Sequence, residues 1–472
     1  MNSSSHNRIA TDGLQLFLLP VETRVPLKFG TETLTSVTCA RIRATLKDDA
    51  GASSSGWGET PLNVQWVWPS PTSYHERLQA LTGLIRLIGC HILENTLSGH
   101  PMDMGHQFTE FHLPQILESV NAERSATGLE PIPWLAALVC FSPFDIAFHD
   151  AYARHNNVPV HTIYGPDWME HDLSHYIEAA PNESSTIFSG KYPKDFMRPS
   201  PAQTVKVWHL VGGLDPLTDA DLDGSEPDDG YPVTLIDWIS RDGLQCLKIK
   251  LRGNDAEWDF NRLFQVGQIA ENQDVLWLTA DFNCTVKDPA YVNDILDRLR
   301  DDFPSTYARL LYVEQPFPYE LDHLRLNVRS VSARKPLFLD ESAHDWKMVR
   351  LGYELGWSGV ALKTCKTQTG AILSACWALA HGMTLMVQDL TNPMLAQIPH
   401  CLLAACFPTI MGVESNGMQF YPEASRPEMQ VHPGLYRRSG GELSLATLGP
   451  FGFGYREDEI ERTLPDPETL SP

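Results

Sequence analysis

The stretch LQCLKIKLRG, residues 244–253, decides how this chain is read. As a strand it sends Leu247, Ile249 and Leu251 to one face and Lys248 and Lys250 to the other, because successive side chains alternate. A solvent-facing strand of an antiparallel sheet would look the same in isolation. The surrounding sequence changes the reading. From about residue 205, short apolar segments alternate with helical ones: VKVWHLV, CLKIKL, VLWLTADF, RLLYVEQP, KPLFLDES, GVALKTC, TLMVQDL and TIMGVES. After a longer first gap they recur every roughly 25–35 residues, the length of a strand plus its crossover helix. Eight such units predict an α/β fold of the (β/α)8-barrel type. The alternative, an open doubly wound sheet, would carry a glycine-rich dinucleotide loop after a strand, and none follows these segments.

The bulk numbers agree with an enzyme of more than one domain. The chain has 472 residues, 43% of them hydrophobic and 20% charged, which excludes a disordered composition. A formal net charge of −23 argues against nucleic-acid or anionic-membrane partners. It leaves a small anionic substrate open, since local charge in a site can oppose the net charge. No run of about 18 apolar residues suggests a transmembrane helix. The start, MNSSSHNRIATDG, lacks the basic and apolar regions of a secretory signal. The 9 cysteines form no CxxC pair, so a reduced, cytoplasmic enzyme is expected rather than a disulfide scaffold.

Outside the barrel segment, residues 14–48 alternate as strands, and residues 75–155 carry helical periodicity. Residues 156–204 are irregular and rich in Pro, Ser and His, as in an insertion. The end, GGELSLATLGPFGFGYRED, reads as a hairpin-like return to the N-terminal domain. The expected organisation is an α+β capping domain at 1–140, a barrel at 141–425 with an insertion near 156–204, and a C-terminal segment at 426–472 that returns to the capping domain.

Catalytic groups of a barrel sit at the C-terminal ends of its strands. Here the second strand offers Lys248 and Lys250, the third Asp281 and Asn283, the fourth Glu314, the fifth Asp340 and Glu341, and the sixth Lys363 with Lys366 nearby. Parallel strands, buried on both faces, should be nearly all apolar. Three carboxylates converging in one barrel mouth cannot all remain ionised without compensation. One Mg2+ or Mn2+ would supply it, with one oxygen from each of Asp281, Glu314 and Asp340. Lysines facing each other across that ion suit proton removal next to a substrate carboxylate.

These motifs, KIK at 248–250, ADFN around Asp281, VEQP around Glu314, LDES around Asp340 and LKTCK around Lys363, resemble the enolase superfamily, and within it the muconate-lactonizing subgroup. The resemblance covers most of the chain. GWGETPL at 56–62 is similar to the family's mobile capping loop, FDIAFHDAYAR at 144–154 to its helix leading into the barrel, and LGPFGFGY at 448–455 to its C-terminal return. The resemblance implies metal ligation by Asp281, Glu314 and Asp340. It implies acid/base roles for Lys250 and Lys363, with Lys248 as the supporting lysine. The chain departs from the pattern at Phe282, in KTQTG after the sixth strand, in the length of 156–204 and in the acidic connection after the first barrel strand. The substrate therefore stays open.

Weaker signals fill in the surroundings. Trp57 and Glu59 lie in the segment expected to close over substrate, and Asp389 and Glu414 end the seventh and eighth strands. The subgroup's dipeptide epimerases hold an ammonium group with an Asp-x-Asp pair after the eighth strand, whereas GVESNG has only Glu414. DADLDGSEPDDG at 219–230 begins like a calcium loop but has Gly230 where a bidentate Glu is needed, so it reads as a solvated acidic loop. His149 reads as a packing residue, and His381 precedes the seventh strand, at the wrong end for catalysis. The expected function is metal-dependent proton abstraction alpha to a carboxylate, in a racemase, epimerase or cycloisomerase acting on a small carboxylate-containing molecule. The rivals are a lyase on the same fold and a catalytically silent binding protein. A homo-oligomer is compatible with all three.

Overall fold

The structure, a computed structural model, describes residues 9–29, 32–181, 183–184 and 186–472. Three long strands open the chain, β1 (Ile9–Phe29), β2 (Glu32–Asp48) and β3 (Ser53–Leu62), and they form an antiparallel meander. Period-two alternation places Leu14, Leu16, Ala40, Ile42, Ala44 and Leu46 in one buried layer. Residues 56–62, expected as a mobile loop, instead pair in register with β2, from Gly56 opposite Ala44 to Leu62 opposite Thr38. The glycines of GWG serve close approach rather than mobility. A Cβ on Gly56 would lie 2.1 Å from Ala151 N, and one on Gly58 would lie 2.1 Å from Pro143 O.

Both backbone atoms belong to the helix Trp134–His155, which is buried from Leu135 through Ala153. It is buried on every side because β3 covers one face and the barrel side the other. Ser142 Oγ donates to Thr364 O at 2.8 Å, tying this helix to the loop after the sixth barrel strand. The helix runs through residues 140–141 without a break. A second helix, Tyr74–Asn95, starts at a capping box made by Ser73 and Glu76 and buries Leu81, Leu84, Ile85, Ile88 and Ile92 along one stripe.

The eight barrel strands are β4 (Thr204–Val211), β5 (Cys246–Lys250), β6 (Trp277–Asp281), β7 (Leu310–Glu314), β8 (Leu337–Leu339), β9 (Gly359–Leu362), β10 (Thr384–Val387) and β11 (Thr409–Glu414). All pair in parallel with their sequence neighbours, and β11 closes on β4 through Val413 opposite Val207. The barrel floor is a plug of Trp208, Cys246, Tyr312, Phe338 and Met386, with the Tyr312 and Phe338 rings stacked at 4.2 Å. Two residues further along the same inward face come Lys248, Glu314, Asp340 and Gln388. The alternation that looked like a solvent-facing strand is the alternation between barrel interior and helix layer. Leu247 and Ile249, on the outer face, are fully buried.

The C-terminal segment divides its pairing. Residues Glu442–Ser444 (β12) run antiparallel to β4, opposite Thr204–Lys206, so this part joins the barrel rather than the N-terminal sheet. Glu468–Thr469 (β13) joins the capping sheet, pairing with Gln15 and Leu16 of β1, and Glu428 lies 3.6 Å from Arg41 of β2. No helix among the described residues is long and apolar enough to cross a membrane.

Candidate active site

The polar strand ends meet in the barrel mouth. Lys248 Nζ lies 2.6 Å from Glu314 Oε1, 2.9 Å from Glu414 Oε2 and 3.1 Å from Asp281 Oδ2. Lys250 Nζ donates to Asp281 Oδ2 at 2.5 Å. Across the mouth, Lys363 Nζ lies 3.2 Å from Asp340 Oδ2 and donates to Asp389 O at 3.0 Å. Lys366 donates to the backbone carbonyl of Asp340. Lys250 is thus anchored at the third strand end and Lys363 at the fifth, on either side of the carboxylate group.

Of the remaining residues expected from sequence, Glu341, Asp389 and Glu414 also lie in the mouth. Glu341 Oε1 accepts from Trp66 Nε1 at 3.0 Å. Asp389 Oδ2 accepts from Asn416 N at 2.7 Å, and Asn416 Nδ2 donates to Glu414 Oε1 at 2.7 Å. Asn283 contributes its backbone, donating from N to Asp281 Oδ1 at 2.9 Å, while its own Oδ1 is buried without a partner. Trp57 is the correction. It stands outside the mouth, its backbone N donating to Asp150 and its ring packed against Phe17 and beneath Arg43. It lines a surface cleft with Arg154 and Phe451. Because Gly56 and Gly58 face the helix Trp134–His155, the residue between them must face the other way.

Sequence reasoning missed Trp66, Gln388 and Asn416. Trp66 lies just beyond β3, in the short helix Val64–Val67. Its ring faces two cations, Lys363 Nζ at 5.2 Å and Lys366 Nζ at 5.6 Å from the centroid. Gln388 Nε2 donates to Glu314 Oε2 at 2.5 Å, and its Oε1 accepts from Lys248 at 3.3 Å. Lys248, Lys250, Asp340, Lys363, Asp389 and Glu414 line a cavity of about 40 Å³ roofed by Leu27, Asn63 and Trp66. That holds a few waters. The turns after the strand ends are strained: Asn283, Cys284, Gln315 and Thr367 have φ of 47°, 62°, 29° and 80°. Such non-glycine strain costs on the order of 1–3 kcal/mol each and clusters where the backbone must aim polar groups at a site.

Electrostatics show what the mouth lacks. Asp281, Glu314, Asp340, Glu341, Asp389 and Glu414 are all buried, as are Lys248, Lys250, Lys363 and Lys366. Six carboxyl groups face four ammonium groups, a surplus of two negative charges if all ionise. Burial and the neighbouring Asp281 hold Glu314 well above the carboxylate range, against the pull of Lys248. Burial and Asp340 raise Glu341. Burial and Glu414 push Asp389 up to about 6. Burial also opposes ionisation of Asp281 and Asp340, but Lys250 with Lys248, and Lys363 with Lys366, outweigh it and lower both. On the cationic side, burial works against Lys248 and Lys363, yet the carboxylates around them raise both. Burial, joined by Lys363, lowers Lys366 against the pull of Asp340.

A divalent cation fits this donor set in hardness, with oxygen ligands only, and in charge. Asp281, Glu314 and Asp340 do not have one oxygen from each within 4.8 Å of the other two. Lys248 sits among these carboxylates and supplies part of the compensation itself.

Residues 234–459 match the family model described as Enolase C-terminal domain-like. No curated protein matches the chain in sequence. Among solved structures, N-succinyl Arg/Lys racemase from Bacillus cereus ATCC 14579 aligns with a TM-score of 0.61 at 16% identity, covering 98% of this chain and 100% of that one. A dipeptide epimerase from Cytophaga hutchinsonii, complexed with Mg and the dipeptide D-Ala-L-Val, aligns at 0.61 and 15%, covering 98% and 100%. The 2-chloromuconate cycloisomerase from Rhodococcus opacus 1CP aligns at 0.59 and 16%, covering 97% and 100%. At these identities the likeness is one of fold: a closed parallel barrel with a capping sheet and helices.

Proposed function

Residues 234–459, which hold β5 to β11 of the barrel, match the Enolase C-terminal domain-like model, and from that premise we propose that the chain is a member of the enolase superfamily, an isomerase that removes and returns the proton alpha to a substrate carboxylate. The observation that carries this reading is the placement of Lys250 at Asp281 and Lys363 at Asp340, on opposite flanks of one carboxylate cluster. Asp281, Glu314 and Asp340 would hold Mg2+, or Mn2+ in its place, as the dipeptide epimerase of the same fold holds Mg. When bound, the ion supplies Lewis-acid stabilisation of the negative charge that develops on the substrate carboxylate.

The chain's own residues do the rest. In one direction Lys250 is the base that takes the alpha proton from one face. Lys363, 3.2 Å from Asp340 Oδ2 on the other flank, gives a proton to the other face. In the reverse direction the two exchange roles. Lys248 reaches neither flank, because its ammonium is committed to Glu314, Glu414 and Asp281. Its part is to hold those carboxylates in place. Trp66 and Leu27 line the mouth with apolar surface.

The substrate class is a small carboxylate-containing molecule without an ammonium group near β11. Glu414 is the one acid of GVESNG and already accepts from Lys248 and Asn416, so a substrate ammonium there would compete with Lys248 for it. All nine cysteines are unpaired, which fits a reducing compartment, and we place the protein in the cytoplasm. The test is a library of small carboxylic acids in D2O, with Mg2+ or with chelator. Mg2+-dependent deuterium uptake at an alpha carbon supports the reading. Loss of water from a library member instead would make the enzyme a lyase. Mg2+ binding without exchange by any member would make it a silent binding protein.

A further inference from the structure

Away from the barrel mouth, a second group of ligand-type side chains converges between the capping helices and the irregular 156–204 segment. Asp103 lies on the helix Pro101–Gln107. His171 precedes, and His175 ends, a single helical turn, Leu173–His175, inside the irregular segment. One donor atom from each lies within 4.8 Å of the other two. His171 Nδ1 is already 3.1 Å from Asp103 Oδ1. We propose that Asp103, His171 and His175 form a zinc-binding clasp that pins the 156–204 segment to the capping helices.

Several features make this a built site rather than a chance meeting of surface groups. Asp103 is oriented by Tyr176, whose hydroxyl donates to Asp103 Oδ1 at 2.5 Å. The turn carrying His175 is fixed by Asp172, which caps its start. Its Oδ1 accepts from Ser174 N at 3.0 Å and its Oδ2 from Gly190 N at 2.7 Å. Asp103 and His171 are half-buried and His175 is exposed, so one side is shielded and the other open to an arriving ion. Two imidazoles and one carboxylate are a ligand set that suits zinc, with solvent in the fourth position. The imidazoles are stacked, with centroids 4.0 Å apart and planes at 14°. A tetrahedral shell with bonds of about 2.0–2.1 Å needs ligand atoms roughly 3.4 Å apart. Binding therefore requires the exposed His175 ring to swing out of the stack, which its exposure permits. The clasp also has a mechanical reason. Among the described residues before β4, the segment's helices are three short turns, so a metal crossing to the helix Pro101–Gln107 would restrain a stretch with little regular structure of its own.

The experiment uses the full chain, stripped with chelator and dialysed into millimolar Mg2+ to occupy the barrel carboxylates. Zn2+ alone is then titrated and counted by equilibrium dialysis with elemental analysis. The expected result is one Zn2+ per chain for the wild type and none for His171→Ala/His175→Ala. Co2+ in place of Zn2+ should give the visible absorption of a tetrahedral site, absent from the double variant. His175→Ala alone changes an exposed side chain and keeps the fold, and should weaken Zn2+ binding by about tenfold or more. Equal Zn2+ stoichiometry and affinity in the wild type and in His175→Ala, or no Zn2+ retained by the wild type, would overturn the proposal. Because the readout is metal content, failure here is distinct from failure of the barrel's activity.

Discussion

Lys248 Nζ stands 2.6 Å from Glu314 Oε1, a contact between β5 and β7 that spans the intervening strand β6 inside the barrel. The same ammonium touches Glu414 and Asp281, so one lysine compensates carboxylates from three other strands. Lys248→Met removes that charge at nearly constant volume and leaves buried carboxylates unpaired. Breaking one side of a buried ion pair costs about 3–5 kcal/mol, and urea unfolding should show a loss of that order. Millimolar Mg2+ should recover part of the loss, since a divalent cation would take over the compensation. An unchanged unfolding midpoint, or a loss that Mg2+ leaves untouched, would contradict the assignment of Lys248.

Removing a ligand should weaken metal binding. Asp281→Asn, Glu314→Gln and Asp340→Asn each keep the side-chain shape and remove one charge. Each should weaken Mg2+ binding, measured by calorimetry, by more than about tenfold, the lower bound for changes even one shell further out. Trp57→Ala, at a residue that lines a cleft of the capping domain, should leave Mg2+ binding as it is. Wild-type affinity in any of the three carboxylate variants would remove that residue from the ligand set.

Trp66 should matter where Trp57 does not. Trp66→Phe preserves the apolar roof but removes the donor that reaches Glu341 Oε1. An unsatisfied buried acceptor costs about 1–3 kcal/mol. The variant should show that loss in urea unfolding and a reduced kcat/KM on the exchange substrate, with Mg2+ affinity intact. Wild-type kcat/KM would show that the roof takes no part in the reaction.

A buried carboxyl in the helix Trp134–His155 gives the fold a pH dependence. Burial pushes Asp145 up to about 7 from 3.8, against donation from Thr369 N and Oγ1. A raised folded-state pKa means that the folded protein takes up the proton more readily than the unfolded chain. The stability Asp145 contributes is therefore complete below about pH 4 and fades as pH rises toward 7. At about 1.4 kcal/mol per unit, the loss is on the order of 4 kcal/mol. Asp145→Asn should flatten stability between pH 4 and 7, read from urea midpoints at each pH. A slope equal to the wild type's would place the titration elsewhere.

How much of this was legible follows from what each signal measures. Alternation in CLKIK, WLTAD and LLYVE reports which residues share the barrel interior, and a polar residue two places beyond an interior aromatic is visible in one line of sequence. The pair Tyr312 and Glu314 is an instance. Contacts made only by folding were not visible. Trp66 reaches Glu341 across 275 positions, and nothing near Trp66 marks it. Gln388 and Asn416 look like ordinary polar ends of strands, and their roles come from facing Glu314 and Asp389. The misplacement of Trp57 has a local cause. The resemblance reads GWGETPL as a mobile loop, whereas its glycines let a helix backbone touch the strand, and sequence alone does not separate the two. The pairing of Glu442–Ser444 with β4 was hidden for a similar reason, since a hairpin-like pattern does not say which edge it will meet.

The central claim, that Lys250 and Lys363 serve opposite faces of one alpha carbon, is tested most directly by proton exchange in D2O followed by NMR on each enantiomer of the exchange substrate. The account predicts that Lys363→Ala abolishes exchange of one enantiomer and spares the other, and that Lys250→Ala does the reverse. Both variants should remain folded and Mg2+-bound, because neither lysine is a ligand. Loss of a positioned acid or base costs about 10²–10⁴ in rate, so the selectivity should be large. Loss of both enantiomers' exchange in both variants would contradict the account by making the lysines electrostatic supports, and unchanged exchange in either variant would remove that lysine from the chemistry.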